Sequence, residues 1–378
     1  MIGAADYEAI VVGAGVVGLA CAARLAKRWP GRVLVLERHD GICREGSSRN
    51  SEVVHAGIYY PEGSRKARTC VRGRRLLVER CRERGIGLLA CGKVIVGEDE
   101  DALDALHALV DRATANGVVV RLVDSAELRR LEPGTQGAMA LWSPSSGVVD
   151  SHAFAASLEA EARTGADVVF GAAVVGVERS AGYRLSLATA DGRVEVTGAR
   201  VVNAAGLGQD ALSSLVMDVD AAGYRQHLVR GCWWSIAPRH RGRVSRLVYP
   251  VGRADDPGLG IHGCLDLGGG MRLGPDAEAL GSSADLDPAS PNALAVPEER
   301  GPVFLAAGQR LFPWLEDGDL TPDMAGLRPK LRPDGWADFV LAEESSRGLP
   351  GWVTLAGIES PGLTASMALA EEVDAVLA

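Results

Sequence analysis

The chain has 378 residues, 47% of them hydrophobic and 24% charged, and carries a formal net charge of −9. This is the composition of an ordinary soluble globular protein, with room for two domains or for one large α/β unit carrying an insertion. The charge argues against nucleic acid as a partner, and no apolar run reaches the roughly 18 residues of a transmembrane helix.

Tyr7 to Val12 is a short apolar run of strand type, and Gly13-Ala14-Gly15-Val16-Val17-Gly18 follows at once. Leu19 to Arg28 then reads as a helix, and Arg32 to Leu36 as a second strand ending on Glu37. Strand, glycine turn, helix, strand and acid together raise G-x-G-x-x-G from a weak pattern to a strong one. Gly13 permits the tight turn, Gly15 lets a pyrophosphate approach the backbone with the free amides of Val16 and Val17 behind it, and Gly18 lets helix and strand pack closely. Glu37, beside Arg38 and 19 residues after Gly18, sits where a carboxylate accepts from ribose hydroxyls. A 2′-phosphate there meets like charge, so FAD or NAD is favoured over NADP. The N-terminus has no cationic segment before this apolar run, so it does not read as a signal peptide.

After a polar loop, Ser47 to Pro61 gathers small, polar and aromatic residues, and Gly63 to Glu83 has helical spacing. Its basic residues from Arg65 to Arg84 suit either a solvated face or a docking patch, and charge does not exclude peripheral membrane contact. Gly92 to Gly97 is a strand, Asp101 to Ala115 an amphipathic helix, Val118 to Leu122 a strand, and Ser125 opens a short helix ending before Pro133. Trp142 to Asp150 reads as a loop leading into a helix from Ser151 to Arg163. Asp167 to Val177 and Tyr183 to Ala188 are strands, Val194 to Thr197 pairs across the Asp191-Gly192 turn, and Arg200 to Asn203 is a further strand. From Tyr224 to Leu273 come closely spaced strands without crossover helices, namely Cys232–Ile236, Val244–Pro250, Gly258–Leu265 and Met271–Gly274, which implies an antiparallel sheet. Gly281 to Arg300 should be exposed, Pro302 to Leu311 helical, Leu320 to Leu331 and Gly351 to Ile358 extended, and Leu363 to Leu377 a closing helix. Seven cysteines in no C-x-x-C pair, and seven histidines in no H-E-x-x-H, suit a reducing cytoplasm and suggest no metal site.

The glycine turn opens the chain, yet the strand that would complete its sheet closes it. The dinucleotide domain is therefore expected to be discontinuous, formed by residues 1–85, 145–215 and 330–378. Residues 86–144 and 216–329 would form an α+β substrate-binding domain with a mainly antiparallel sheet.

Several segments carry a family resemblance. They are Asn50-Ser51-Glu52-Val53-Val54-His55-Ala56-Gly57-Ile58-Tyr59-Tyr60-Pro61, Lys66-Ala67, Cys91-Gly92-Lys93 and Pro144 to Asp150. Gly258 to His262, Gly274-Pro275-Asp276-Ala277, Arg328-Pro329-Lys330-Leu331 and Gly357 to Ser366 complete the set. On these the sequence resembles the FAD-dependent oxidoreductases of the D-amino-acid oxidase and glycine oxidase superfamily, and within it the L-2-hydroxyglutarate dehydrogenase/oxidase family. The resemblance implies FAD held in a Rossmann-like fold of glutathione-reductase type, and oxidation of a short 2-hydroxy acid by hydride transfer to flavin N5. Two places depart from the family pattern, Trp233-Trp234 and Gly263-Cys264; both lie in the antiparallel region that should line the substrate pocket.

Ser48, Arg49, Asn50 and Ser51 are candidates to meet the pyrophosphate or the flavin ring. His55 is a candidate general base, with an intrinsic pKa near 6.5, and by resemblance also a candidate flavin contact or attachment point; His262 is the rival base. The resemblance gives Arg328 the substrate carboxylate, which a guanidinium can grip bidentately. Lys330 and Tyr249 could join that pocket, and Arg272 could hold a second carboxylate. Gly357, Ser360, Pro361, Gly362, Leu363 and Thr364 form a second strand–turn–helix whose amides would face the flavin where charge collects on reduction. Val174, Ala204, Ala205 and Gly206 would contact the AMP half through the backbone. The expected partners are thus a small carboxylate substrate and an electron acceptor, whether oxygen, a quinone or a carrier protein. Three rivals stand beside this reading: an amine or amino-acid oxidase, a tailoring oxidase acting on a larger metabolite, and a flavin-binding protein without turnover.

Overall fold

Tyr7–Val12 lies at the centre of the molecule, paired in parallel with Val33–Leu36 on one side and with Gly192–Asn203 on the other. The computed structural model describes residues 5–252, 259–288 and 290–378. Among them an eight-stranded sheet runs Ala173–Arg179, Tyr183–Thr189, Gly192–Asn203, Tyr7–Val12, Val33–Leu36, Ala166–Val169, with Trp352–Ala356 parallel to Gly192–Asn203 and Val340–Glu343 beside it. Strands covered on both faces need apolar residues throughout rather than alternation, and Ala9 to Val11, Val33 and Val35 are fully buried. On one face pack helices Val16–Arg28, Ser151–Ala162 and Gly362–Val376, through Leu19, Leu25, Phe154 and Leu369. On the other, Ile10 and Leu34 meet Tyr183 and Trp352, whose rings stand edge to face at 5.4 Å.

The second sheet has nine strands: Glu278–Ser282, His227–Ile236, Met271–Gly274, His262–Leu265, Leu247–Pro250, Lys93–Gly97, Met139–Ser143 and Arg121–Asp124, with Leu320–Lys330 along His227–Ile236. All its pairings are antiparallel except that of Leu247–Pro250 with Lys93–Gly97. A small third sheet joins Val53–Val54 and Leu88–Leu89 to Gly147–Val149. The expected architecture is present: an α/β sheet assembled from both ends of the chain, with a mainly antiparallel sheet inserted.

The details differ in places. Trp142 to Asp150 is not a loop, because Trp142 and Ser143 end one strand and Gly147–Val149 is another, separated only by a turn. Asp167 to Val177 breaks at Gly171, whose φ of +67° lets the chain reverse into a separate strand. The predicted strands on either side of Thr197 are one, Gly192–Asn203, whose first half pairs with Tyr183–Thr189 and whose second half enters the parallel sheet. The strand expected at Val118 forms at Arg121–Asp124, and the one expected from Gly258 begins at His262, Gly258 itself lying outside the described residues. Gly281 to Arg300 is not wholly exposed, since Ala293 is buried against Leu228 and Leu327.

Helix Arg65–Arg84 is capped by Ser64, which accepts from the Ala67 amide (3.2 Å), and stops at Gly85 in the left-handed region. Arg65 and Arg68 pair with Glu372, Arg72 with Glu371 and Arg80 with Glu161, so much of its charge is spent on neighbouring helices rather than left for docking. The crossing with Gly362–Val376 is tight at Gly73, where a Cβ would lie 2.2 Å from the Thr364 carbonyl oxygen and 2.8 Å from Ala365 Cα. Backbone cannot yield as a flexible side chain does, so Gly73→Ala is expected to cost about 1–3 kcal/mol, read as a lower urea midpoint with weaker FAD retention. An unchanged midpoint would show that the two helices can slide apart freely.

Candidate active site

Gly13 has φ +107° and lies so close to the Ala204–Ala205 backbone that a Cβ would sit 2.5 Å from the Ala204 carbonyl oxygen. At Gly18 a Cβ would lie 1.9 Å from the Gly13 carbonyl oxygen. The turn is thereby pressed onto the parallel sheet, and helix Val16–Arg28 starts directly beneath it with no side-chain N-cap on Gly15. Its first-turn amides have no intrahelical acceptors; the Val16 amide donates to Ser47 Oγ at 3.0 Å. Glu37, buried, accepts from the amides of Ala14 (2.8 Å) and His39 (2.9 Å), so the acid fixes the turn as well as facing the cavity.

A cavity of about 760 Å³ runs from this turn to the antiparallel sheet, within the range of cofactor sites. Gly13, Gly15, Val16, Val17, Glu37, Arg38, Val174, Ala204, Ala205 and Gly206 line one end. Arg49, Asn50, Ser51, His55, Tyr249, His262 and Arg328 line the rest, with Ser360, Pro361, Gly362 and Leu363. The cradle of glycines, the open amides and the buried acid fit a dinucleotide cofactor along this wall. Arg38 is ion-paired with Glu45, which His39 also meets at 2.7 Å. Asn50 is spent on its own turn, donating to the Ser47 carbonyl (2.8 Å) and accepting from the Glu52 amide (2.7 Å).

Six sequence-based candidates lie off the cavity wall. Gly18 and Gly357 act by close packing; a Cβ on Gly357 would meet Leu331 at 2.6 Å. Ser48 turns away, its hydroxyl donating to the Glu45 carbonyl (3.0 Å), and Ser47 takes the place expected of it. Thr364 lies within the closing helix, where its hydroxyl accepts from the His55 amide (3.1 Å) and donates to the Val53 carbonyl (3.3 Å), tying the two ends of the chain together. Lys330 shares a strand face with Arg328 but sits one pleat, about 6.7 Å, further on, paired opposite His227 and beyond the cavity. Arg272 pairs with Asp323 at 2.7 Å away from the cavity, so it is not placed to hold a second carboxylate there.

The end of the cavity beside the antiparallel sheet combines charge and burial. Arg328 Nη2 donates to the carbonyls of Asp276 (2.5 Å) and Arg230 (3.2 Å), while its Nε–H is buried without a partner among the described residues. His262 Nδ1 lies 2.8 Å from the Gly260 carbonyl oxygen; a carbonyl only accepts, so Nδ1 carries the proton and Nε2 keeps its lone pair. Its ring stacks on Tyr249 at 3.6 Å and meets the edge of Trp233 at 5.6 Å. Trp233, from one of the two departing pairs, thus lies against this histidine, and Cys264, from the other, has its Sγ 3.8 Å from the Tyr249 hydroxyl. His55 Nε2 shares a hydrogen bond with Ser360 Oγ at 3.1 Å. Burial, with the charge of Lys93 added, holds His55 well below 6.5 and brings His262 down to about 3. Behind the wall, Lys66 pairs with Glu359 at 2.9 Å, fixing the turn that carries Ser360.

Sequence reasoning missed Ser47 and Lys93. The signal for the second was visible: a charged residue opening an otherwise apolar strand, Lys93-Val94-Ile95-Val96. Away from the cavity, Glu52, Asp150 and His152 bring possible ligand atoms within 4.8 Å of one another. Glu52 and Asp150 are engaged there with the amides of Ser151 (3.2 Å) and Ala153 (2.8 Å), at the start of helix Ser151–Ala162.

Comparison with known proteins agrees with the geometry. The chain is 36% identical to the mitochondrial L-2-hydroxyglutarate dehydrogenase of Arabidopsis thaliana, over 97% of this chain and 82% of that one. Its identity to the L-2-hydroxyglutarate dehydrogenase of Escherichia coli K12 is 29%, over 72% and 64%. In fold it is similar to FAD-bound L-α-glycerophosphate oxidase of Mycoplasma pneumoniae (TM-score 0.84, 23% identity, 98% and 94% covered). It is also similar to glycine oxidase of Geobacillus kaustophilus (TM-score 0.76, 23% identity, 99% and 95% covered). A family model described as FAD dependent oxidoreductase matches residues 8–375, and the chain therefore belongs to that family, an oxidoreductase with FAD as its cofactor.

Proposed function

We propose that this enzyme oxidises the Cα–OH of a short 2-hydroxy acid to the 2-oxo acid, with L-2-hydroxyglutarate as its substrate. The observation that carries the reading is one cavity wall on which half-buried Arg328, its Nε–H buried and unpartnered among the described residues, stands with two imidazoles held neutral, His55 and His262. Similarity to dehydrogenases named for L-2-hydroxyglutarate supports the choice of substrate.

Bound FAD supplies the two-electron sink for the hydride leaving Cα. Arg328 pairs with the substrate carboxylate, setting which face of Cα is presented. The hydroxyl proton passes to an imidazole. His262 offers Nε2, its tautomer set by Gly260; His55 offers Nε2 beside Ser360, whose hydroxyl can turn to donate or accept. Trp233, Tyr249 and Leu259 wall the site and restrict water.

Mixing the FAD-loaded enzyme anaerobically with L- and D-2-hydroxyglutarate and with amino acids tests the substrate. Bleaching of the flavin by L-2-hydroxyglutarate is expected; bleaching by amino acids alone would make this an amine oxidase. Arg328→Ala should raise the half-saturating concentration sharply, by about 2–4 kcal/mol of lost charge-assisted contact, while FAD stays bound; loss of FAD would place Arg328 at the cofactor instead. His55→Asn and His262→Asn separate the base from its neighbour, since loss of the base should slow flavin reduction about 10²–10⁴-fold. A protonated imidazole cannot accept, and both pKa values are lowered, so the acid limb of the reduction rate should fall below pH 6.5. Half-maximal rate at or above pH 6.5 would contradict the assigned neutral pair.

A further inference from the structure

Lys93 is 1% exposed, yet it makes no ion pair with any described carboxylate. Gly92 (φ +72°) turns the chain tightly against Trp142, and the strand Lys93–Gly97 then carries the lysine inward. Its Nζ lies 3.5 Å from the Tyr249 ring centre and 5.4 Å from that of Tyr59. His262 also stacks 3.6 Å from the Tyr249 ring centre, so ammonium and imidazole must take opposite faces of one phenol ring. Cation, phenol and imidazole form a column ending at the cavity.

We propose that Lys93 is a positioning residue: an ammonium buried without a carboxylate partner, whose charge, set across Tyr249 from His262 and acting also on His55, adds to burial in keeping both histidines uncharged and able to accept a proton. Its catalytic meaning rests on the reading that one of these histidines is the base. A buried cation disfavours a second cation nearby, and weak screening in the interior extends its reach.

The neighbours are consistent with that role. Around Lys93 stand the thiols of Cys70, Cys91 and Cys264 and the phenols of Tyr59 and Tyr249. Burial pushes Cys70 and Cys264 up to about 12, raises Cys91, and raises both phenols, so none is an anion at neutral pH. Burial also lowers Lys93 itself to about 8, which leaves it mainly protonated at pH 7. Arg328 adds positive charge toward His262; Ser360 is the polar neighbour of His55 and is itself neutral. A proton taken up during turnover would therefore be repelled rather than stored.

The test is a side-chain NMR titration of the seven histidines in oxidised, FAD-loaded enzyme without substrate, with His55→Asn and His262→Asn spectra for assignment. Wild type should show both imidazoles still neutral well below pH 6.5, and Lys93→Met should raise at least one midpoint by about one pH unit, a tenfold rise in proton affinity. Midpoints near 6.5 in wild type overturn the proposal without any lysine variant, which covers the case that Lys93→Met does not fold. Unmoved midpoints in a folded Lys93→Met or Lys93→Gln also overturn it. Because this readout needs no substrate, failure to oxidise L-2-hydroxyglutarate would sink the assigned reaction separately.

Discussion

The fold depends on one close approach of backbone to backbone. The Gly13 carbonyl oxygen occupies the space that a Cβ on Gly18 would need, and Gly13 itself is pressed against Ala204. Only glycine permits both contacts. Because of them the first helix starts immediately beneath the turn, its open amides face the cavity, and the Ala204-Ala205-Gly206 turn that follows strand Gly192–Asn203 lines the same end. Glu37 then locks the arrangement by accepting from the Ala14 amide. The same device recurs at the other end of the chain, where Gly73 lets helix Arg65–Arg84 press against Thr364 and Ala365. Thr364 in turn holds the backbone of His55. Cofactor wall and candidate base are therefore joined by packing between segments remote in sequence.

The second theme is the handling of charge at the end of the cavity. Arg328 donates to two backbone carbonyls, with the Glu359 and Asp276 carboxylates acting on it without a direct ion pair, and its Nε–H has no partner among the described residues. Lys93 has phenol faces and neutral thiols around it. Burying a cation such as Lys93 without a counterion is unfavourable, and perturbed groups of this kind cluster at functional sites. Here the excess positive field suits an anionic substrate, and it keeps imidazoles from competing for protons before the substrate arrives.

Much of this was readable from the sequence because it is local. The strand–turn–helix–strand opening, the closing strand and its helix, and the antiparallel middle follow from periodicity and glycine placement, and the structure has all of them. The candidacies of His55, His262 and Arg328 came with motif resemblance rather than from any local rule, while Tyr249 was proposed only as a hydroxyl that could join the pocket. What failed was tertiary. The Trp142 to Asp150 segment has loop composition, yet both its flanks are strands because partners from elsewhere pair with them. Val340–Glu343 was missed since it is short and gains its place only beside Trp352–Ala356. Lys330 and Arg272 are cations on the right strands, but neither reaches the cavity: one lies a pleat too far along, the other is engaged with Asp323. Ser47 and Ser48 are indistinguishable by type; only the turn decides which hydroxyl meets the Val16 amide.

The central claim is that this cavity brings the Cα–H of a 2-hydroxy acid to the flavin and removes that hydrogen as hydride. Comparing anaerobic flavin reduction by L-2-hydroxyglutarate carrying hydrogen or deuterium at Cα tests it most directly. The account predicts clearly slower bleaching with the deuterated acid at saturation. Equal rates with a chemical step known to limit reduction, or no bleaching by either acid, would contradict it.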